Sequence, residues 1–570
     1  MIKGIPVSKG YAIAKVFLLK KTDIDASKKV VLDTELEIRR FHDAIRDAKQ
    51  EILLLKQKSL SRFGEETAKI FDAHLMIADD PEFKMSVETL IMQERCNLTY
   101  AIKTVVNRFV KLFEGLDHPY LKERAIDIKD VSERILSHAL GITGHDLSDI
   151  HEEIILVGED ITPSETTQVN PQYVKGFITE QGGITSHSAI IARLLGIPAV
   201  TAAKDILKKV KHGDEIILDG HTGKILLNFD EKTRELYHEK KHAYRMMIDE
   251  LNVYKGLKTY TKDQYLIPLY ANIGLPKDVD YVYQYDAEGV GLFRTELLYM
   301  DRKELPTEDE QYQAYTSVLK AMQGKQTTIR TLDIGGDKHL PYLDLEHELN
   351  PFLGERAIRL CLAKPDLFKT QLRALLRASI HGSLSIMIPM ISTKHEIVLV
   401  KKLLDDIKKE LDASNISYGK YLLGIMIEVP SAVMLSDSLA AEVDFFSIGT
   451  NDLIQYVFAA DRTHEKLHHY YQPLHPVILN MIHTVCQSAK KHHIPVSVCG
   501  EMASHPDQGI VLLGLGVDAL SMTPSEILKM RKRLSLINLD DIKGLAHKFL
   551  RYDEEELVIK DLQKALKKML

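Results

Sequence analysis

Residues 422–452 read LLGIMIEVPSAVMLSDSLAAEVDFFSIGTND. Two short apolar runs, LLGIMI and VDFFSI, flank a stretch of helical spacing, and each run ends on polar groups: Glu428 after the first, Asn451 and Asp452 after the second. A strand, a helix and a second strand with polar residues at the strand ends form one unit of a βα repeat. Outward from this unit the texture recurs as YLIPLYANIG, AEGVGLFRTE, TTIRTLDIGG and LSIMIPMI before it, and PVSVCGEMAS and VDALSMTPSE after it. Eight such runs, alternating with helical patterns over about 310 residues, are the arithmetic of a (β/α)8 TIM barrel. In nearly every run the polar residues fall at the C-terminal end: Arg294 with Glu296, Asp333, Glu428, Asn451 with Asp452, and Cys499 with Glu501. Barrels of this kind build their active sites on that face.

Upstream of the barrel the pattern changes twice. Residues 231–258 are rich in Lys, Glu and Tyr and read as a helical linker able to act as a hinge. From residue 154 the short runs IILV, GFIT and EIILDG, broken by glycines and prolines, predict a compact α/β domain completed by GIPVSKGYAIAKVF near the N-terminus. Between these pieces Ile38, Phe41, Ile45, Ala48, Ile52 and Leu55 alternate in steps of three and four, one face of a long amphipathic helix. Helical patterns continue to about Leu140, an all-helical insert of four or so helices. The expected fold is therefore multidomain α/β. Its parts are an α/β domain over residues 1–22 and 145–230, a helical domain over 23–144, a linker over 231–258 and the barrel over 259–570.

Composition narrows the function classes. With 45% hydrophobic and 27% charged residues in a chain of 570, the sequence is ordinary and globular, and a net charge of −7 with interspersed signs argues against a nucleic-acid binder. The start lacks the apolar core of a signal peptide, and no segment approaches the ~20 apolar residues that span a bilayer, so a cytoplasmic protein without membrane insertion is expected. Cys96, Cys361, Cys486 and Cys499 are scattered, which suits neither a disulfide framework nor a zinc site.

The strongest local signal is GGITSHSAIIARLLGIPAV, residues 182–200. A strand runs into a Gly-Gly turn, then Thr185, Ser186 and His187 open an apolar helix ending at Gly196 and Pro198. Backbone N–H groups and the positive end of the helix dipole favour a phosphate attached there and keep a free imidazole neutral and nucleophilic. A lone histidine would more often cap or pack. The whole string weighs against that.

The string resembles the phosphohistidine signature of the phosphoenolpyruvate-utilising enzymes, and DFFSIGTNDLIQYVFAADR, residues 444–462, resembles a second signature of the same family. Within the family the likeness is to the Enzyme I type of the bacterial phosphoenolpyruvate:sugar phosphotransferase system. It extends over essentially the full chain through FDAHLMIADDPEF, YLKERAIDIKDV, LPTEDEQ, RTLDIGGDK, NPFLGERAIR and CGEMAS. The resemblance implies a phosphoryl group carried on His187, phosphoenolpyruvate contacts from Arg294, Arg330, Asn451, Asp452 and Arg462, and Mg2+ ligation by Glu428 and Asp452. It also implies Cys499 as the acid that protonates the enolate of pyruvate, and a homodimer through the barrel. Arg356 is a further cationic fork for the phosphoryl oxygens. The expected partner is the phosphocarrier protein HPr, docking on the helical insert through His74, Met76, Ile77, Glu82 and Phe83 beside Asp79 and Asp80. The same Met and Phe spacing also suits a core stripe. Two rival functions are a pyruvate phosphate dikinase or phosphoenolpyruvate synthase relative, and a non-catalytic docking or regulatory protein on the same fold. The first is disfavoured because a small helical insert stands where those enzymes carry an ATP-binding domain, the second because the full set of reactive residues is intact.

Overall fold

A computed structural model describes residues 1–19, 25–63, 65–114, 119–142, 147, 150–183, 186–300, 302, 304–336, 340, 342–343, 348–462 and 464–569. The chain divides into two compact units, Met1–Ile248 and Asp249–Leu570.

In the first unit, strands β1 (Ile2–Lys3), β2 (Ile5–Ser8) and β3 (Tyr11–Leu18) precede five helices, α1 (Thr34–Phe63), α2 (Glu65–Asp79), α3 (Pro81–Glu94), α4 (Leu98–Glu114) and α5 (Pro119–Leu140). The apolar face read from the sequence packs as expected: Phe41, Ile45, Ala48, Ile52 and Leu55 are buried and Ile38 is partly so. Asp80 caps α3 by accepting from the Phe83 N–H at 2.8 Å, and Glu37 of α1 accepts from the Leu98 N–H at 2.7 Å where α4 begins. These bonds satisfy donors that a helix start leaves unpaired.

The chain then returns to the sheet as β4 (Ile154–Gly158), β5 (Val174–Thr179), β6 (Ala199–Thr201), β7 (Glu215–Asp219) and β8 (Lys224–Leu226), with α6 (Pro163–Gln168) and α7 (His187–Leu195) between strands. The strand order is β1-β8-β7-β3-β4-β5-β6-β2, and β3 through β6 run parallel. Ile155 and Val157 of β4 join one core and Ile154 and Leu156 the other. A strand buried on both faces has to be apolar throughout, which is why IILV shows no alternation.

The helix Glu231–Asn252 crosses the division between the units. On the first unit, Tyr237 is buried and its hydroxyl donates to Asp219 Oδ2 at 3.3 Å. Beyond the helix, the buried Arg531 donates to the Tyr254 carbonyl and the Thr259 hydroxyl of the second unit.

The second unit is a closed barrel of parallel strands: β9 (Leu269–Ile273), β10 (Val290–Arg294), β11 (Thr327–Arg330), β12 (Leu384–Ile388), β13 (Tyr421–Ile427), β14 (Phe445–Ile448), β15 (Val496–Val498) and β16 (Ala519–Met522). Each lies inside one of the apolar runs singled out from the sequence. Side chains alternate. Ile386, Ile388, Ile425, Ile427, Phe446 and Ile448 pack outward on the helices, while Leu292, Met387, Met426 and Phe445 meet Cys499 in a small inner cluster. Gly424 makes room for that cluster, since a Cβ there would lie 2.4 Å from the Phe445 ring.

Candidate active site

The polar strand ends converge at the C-terminal mouth of the barrel. Arg294 and Arg330 are register partners at the ends of β10 and β11. Arg330 is buried, its Nη2 donating to Glu296 Oε1 at 2.6 Å and lying 3.0 Å from Asp333 Oδ2. Asp333 reaches onward, because its Oδ1 accepts from Arg356 Nη2 at 3.0 Å. The same Nη2 meets Asp452 Oδ2 at 3.0 Å, and Nη1 donates to the Tyr456 hydroxyl at 3.1 Å. The close approach of Arg356 depends on Gly335, where φ is +111° and a Cβ would stand 2.4 Å from the Arg356 Cβ.

Glu428 follows directly on β13 and is buried, with Oε1 accepting from the Met390 N–H at 2.7 Å. Gly449, just past β14, lets it lie there: a Cβ at 449 would come within 2.7 Å of Glu428 Oε2. Burial first, then the carboxylates of Asp452 and Asp333, push the Glu428 carboxyl well above the usual carboxylate range against the pull of Arg330 and Arg356. For Arg330, burial opposes the charge, but Glu296, Asp333 and Glu428 outweigh it and hold the guanidinium above its ordinary range. Burial opposes the charge of Arg356 as well, and Asp333 and Asp452 overcome it.

Glu296, Asp333, Glu428 and Asp452 are all buried, and Arg330 and Arg356 are the buried cations that join them among the described residues. Among the described residues, no hydrogen bond engages the second oxygen of Glu428 or of Asp452. Two buried carboxylates, each with an oxygen that no described residue engages, fit a divalent cation completed by substrate oxygens and water.

The remaining expected residues surround this ring. Cys499 follows β15 and is buried, its Sγ 3.7 Å from the Ile448 carbonyl, and burial raises its pKa although Arg330 and Arg294 lower it. Asn451 interlocks with Glu501: its Oδ1 accepts from the Glu501 N–H at 2.8 Å and its amide donates to Glu501 Oε1 at 3.2 Å. The Arg462 backbone N–H donates to Gln455 Oε1 at 3.1 Å, and Arg294 is exposed.

In the first unit, α7 begins at His187 with Ser186 as its cap, whose Oγ accepts from the Ala189 N–H at 3.4 Å. Gly196 closes the helix in the left-handed conformation at φ 65°. Thr185 and the His187 side chain lie outside what the structure describes.

The chain matches the family described as PEP-utilising enzyme in three segments: the N-terminal domain over residues 3–124, the mobile domain over 150–223 and the PEP-binding domain over 249–539. Its relatives include the phosphoenolpyruvate-protein phosphotransferase of Staphylococcus carnosus, 44% identical over 98% of each chain. Those of Geobacillus stearothermophilus (46% identical, 98% of this chain and 97% of the relative) and Bacillus subtilis (45%, 99% and 100%) match as broadly. The chain belongs to the phosphoenolpyruvate-utilising enzymes. The ring lies within the segment matched to that family's PEP-binding domain, and His187 within the segment matched to its mobile domain.

The residues expected to dock a partner differ in exposure. His74 is fully buried, its Nε2 3.3 Å from Asp127 Oδ1, and Phe83 is 5% exposed against Phe41 with ring centroids 6.0 Å apart. Both side chains pack inside the helical domain. Met76 and Glu82 are exposed and Ile77 is partly buried. Three further members of the barrel ring went unassigned from sequence: Glu296, Asp333 and Tyr456. The first two stood out as strand-end acids, but their role depends on which arginines fold back onto them.

Proposed function

We propose that this chain is a phosphoenolpyruvate-protein phosphotransferase, taking the phosphoryl group of phosphoenolpyruvate onto His187 and passing it to a histidine of the phosphocarrier protein HPr to start a sugar-uptake relay. The observation that carries the reading is the ring of Arg330, Asp333, Arg356, Glu428 and Asp452 beside Cys499 at one barrel mouth, in a chain whose close relatives bear that activity as their name.

The substrate carries a phosphate and a carboxylate, so its pocket needs cationic forks of fixed geometry. Arg294, Arg330, Arg356 and Arg462 supply them, with Asn451 oriented by Glu501. Mg2+ held by Glu428 and Asp452 would neutralise phosphoryl and carboxylate oxygens and draw charge from the bond that breaks. The His187 imidazole attacks phosphorus in line; the N–P bond forms as the bond to the enol oxygen breaks, and the electron pair leaves on the enolate. The enolate carbon then takes the proton of the Cys499 thiol, which burial keeps protonated, and pyruvate results. In the second half the phosphoryl group leaves His187 for the carrier, which makes the kinetics ping-pong. The helical domain, with Met76, Ile77 and Glu82 toward its surface, is the proposed carrier platform; the barrel is the proposed dimerisation domain and the cytoplasm the proposed compartment. No helix among the described residues is long and apolar enough to cross a membrane.

The test supplies phosphorus-labelled phosphoenolpyruvate and Mg2+, with and without a carrier. Wild type should gain acid-labile label and pass it on, whereas His187→Ala should gain none. Label persisting on histidine in that variant would remove His187 from the mechanism.

A further inference from the structure

Arg330, Asp333, Arg356 and Asp452 form a ladder of alternating charge in which each rung is 3.0 Å. Arg356 is 4% exposed and holds this place with Nη2 shared between two carboxylates and Nη1 on Tyr456, while its buried Nε has no acceptor among the described residues. Asp452 thus gives one oxygen to a guanidinium although it is also one of the two carboxylates suited to a divalent cation. A single oxygen cannot serve both charges at full strength, and two cations on one carboxylate repel each other. Asp333 and Tyr456 secure Arg356 independently of Asp452, so the guanidinium can leave Asp452 and remain in the pocket.

We propose that Arg356 and the divalent cation compete for Asp452, and that cation binding hands the Arg356 fork over from Asp452 to the phosphoryl group of the substrate. Arg356 is then the element that couples the two ligands: the cation frees the fork that the substrate needs, and the substrate in turn stabilises the freed fork. By reciprocity each tightens the other. This rests on reading Glu428 and Asp452 as the cation's ligands.

The test follows Mn2+ binding by loss of its free paramagnetic signal, in the full-length protein carrying His187→Ala so that no phosphoryl transfer intervenes. Without phosphoenolpyruvate, Arg356→Gln and Arg356→Lys should each bind Mn2+ about tenfold more tightly than the parent, the factor expected from removing one competing charge-assisted hydrogen bond. The lysine keeps the charge but is too short to reproduce the shared fork. In the parent, phosphoenolpyruvate should tighten Mn2+ binding, and Arg356→Gln should lose most of that effect. A folding lesion would weaken Mn2+ and cannot imitate this gain. Unchanged or weaker Mn2+ binding in Arg356→Gln would overturn the exchange, as would Arg356→Lys matching the parent. If the parent binds no Mn2+ with or without substrate, the cation reading falls and takes the exchange with it.

Discussion

The barrel mouth and the start of α7 are built from polar groups of opposite kinds. At the barrel, charge is held by charge: buried carboxylates and guanidiniums alternate, and each fixes the next. At α7 the means are backbone N–H groups at a helix start, capped by one serine hydroxyl and flanked by glycines. The difference teaches where rigidity is needed. On the proposed function, a pocket that must break a P–O bond benefits from groups fixed before the substrate arrives, whereas a group that receives a phosphoryl and surrenders it again is served by modest, neutral donors.

Changes at the barrel should therefore do far more damage than changes near α7. Glu428→Gln removes a proposed cation ligand and one of the buried carboxylates of the ring; kcat/KM for label transfer should fall by about 10³-fold or more, and Mn2+ affinity should fall with it. Retained Mn2+ affinity in that variant would move the cation elsewhere. Next, Cys499→Ala should slow pyruvate formation by about 10²-fold, the usual range for losing a general acid. Because burial raises the thiol's pKa, the alkaline limb of wild-type pyruvate formation should lie above the ordinary thiol value of ~8.5, and a limb below that value would assign it to another group.

A smaller change sharpens the contrast by steric means. Gly449→Ala puts a methyl within 2.7 Å of Glu428 Oε2 and 3.0 Å of the Met426 sulfur. Cation affinity should drop about tenfold while secondary structure measured by circular dichroism is retained. The smallest expected effect lies on the other side of the comparison, in the capping box of α6, where the Thr162 hydroxyl and the Glu165 carboxylate each accept from the other's backbone N–H. Burial, and then Asp130, push the Glu165 carboxyl up to about 7. A raised carboxyl pKa means the folded protein binds the proton more tightly than the unfolded chain. The stability due to this group is then full below the ordinary value of ~4.3 and is lost as pH rises through 7. Thermal unfolding of Glu165→Gln between pH 5 and 8 should show a shallower decline than wild type, with phosphoryl transfer little affected.

Much of the barrel was legible because its message is linear. An apolar run followed at once by Glu428, by Asn451 and Asp452, or by Cys499 needs only the strand period and the direction of the chain to place those residues at one mouth. The ladder joining Arg330, Asp333, Arg356 and Asp452 was not legible, since its members lie up to 122 residues apart and meet only in the fold, where Gly335 leaves room for Arg356. The helical insert shows a different limit. FDAHLMIADDPEF is amphipathic, and periodicity says that one stripe is buried without saying which polar residue goes inside with it. His74 did, next to Asp127, leaving Met76 outside.

One feature of the barrel reaches into the product itself. Leu292, Met387, Met426 and Phe445 make an apolar floor in which Cys499 sits. On the proposed role of Cys499, a planar enolate above such a floor would have two faces that differ, one toward the thiol and one away from it. Hydrogen arriving from a single side imposes handedness on a methyl group that looks symmetrical, and isotopes would make that hidden chirality visible.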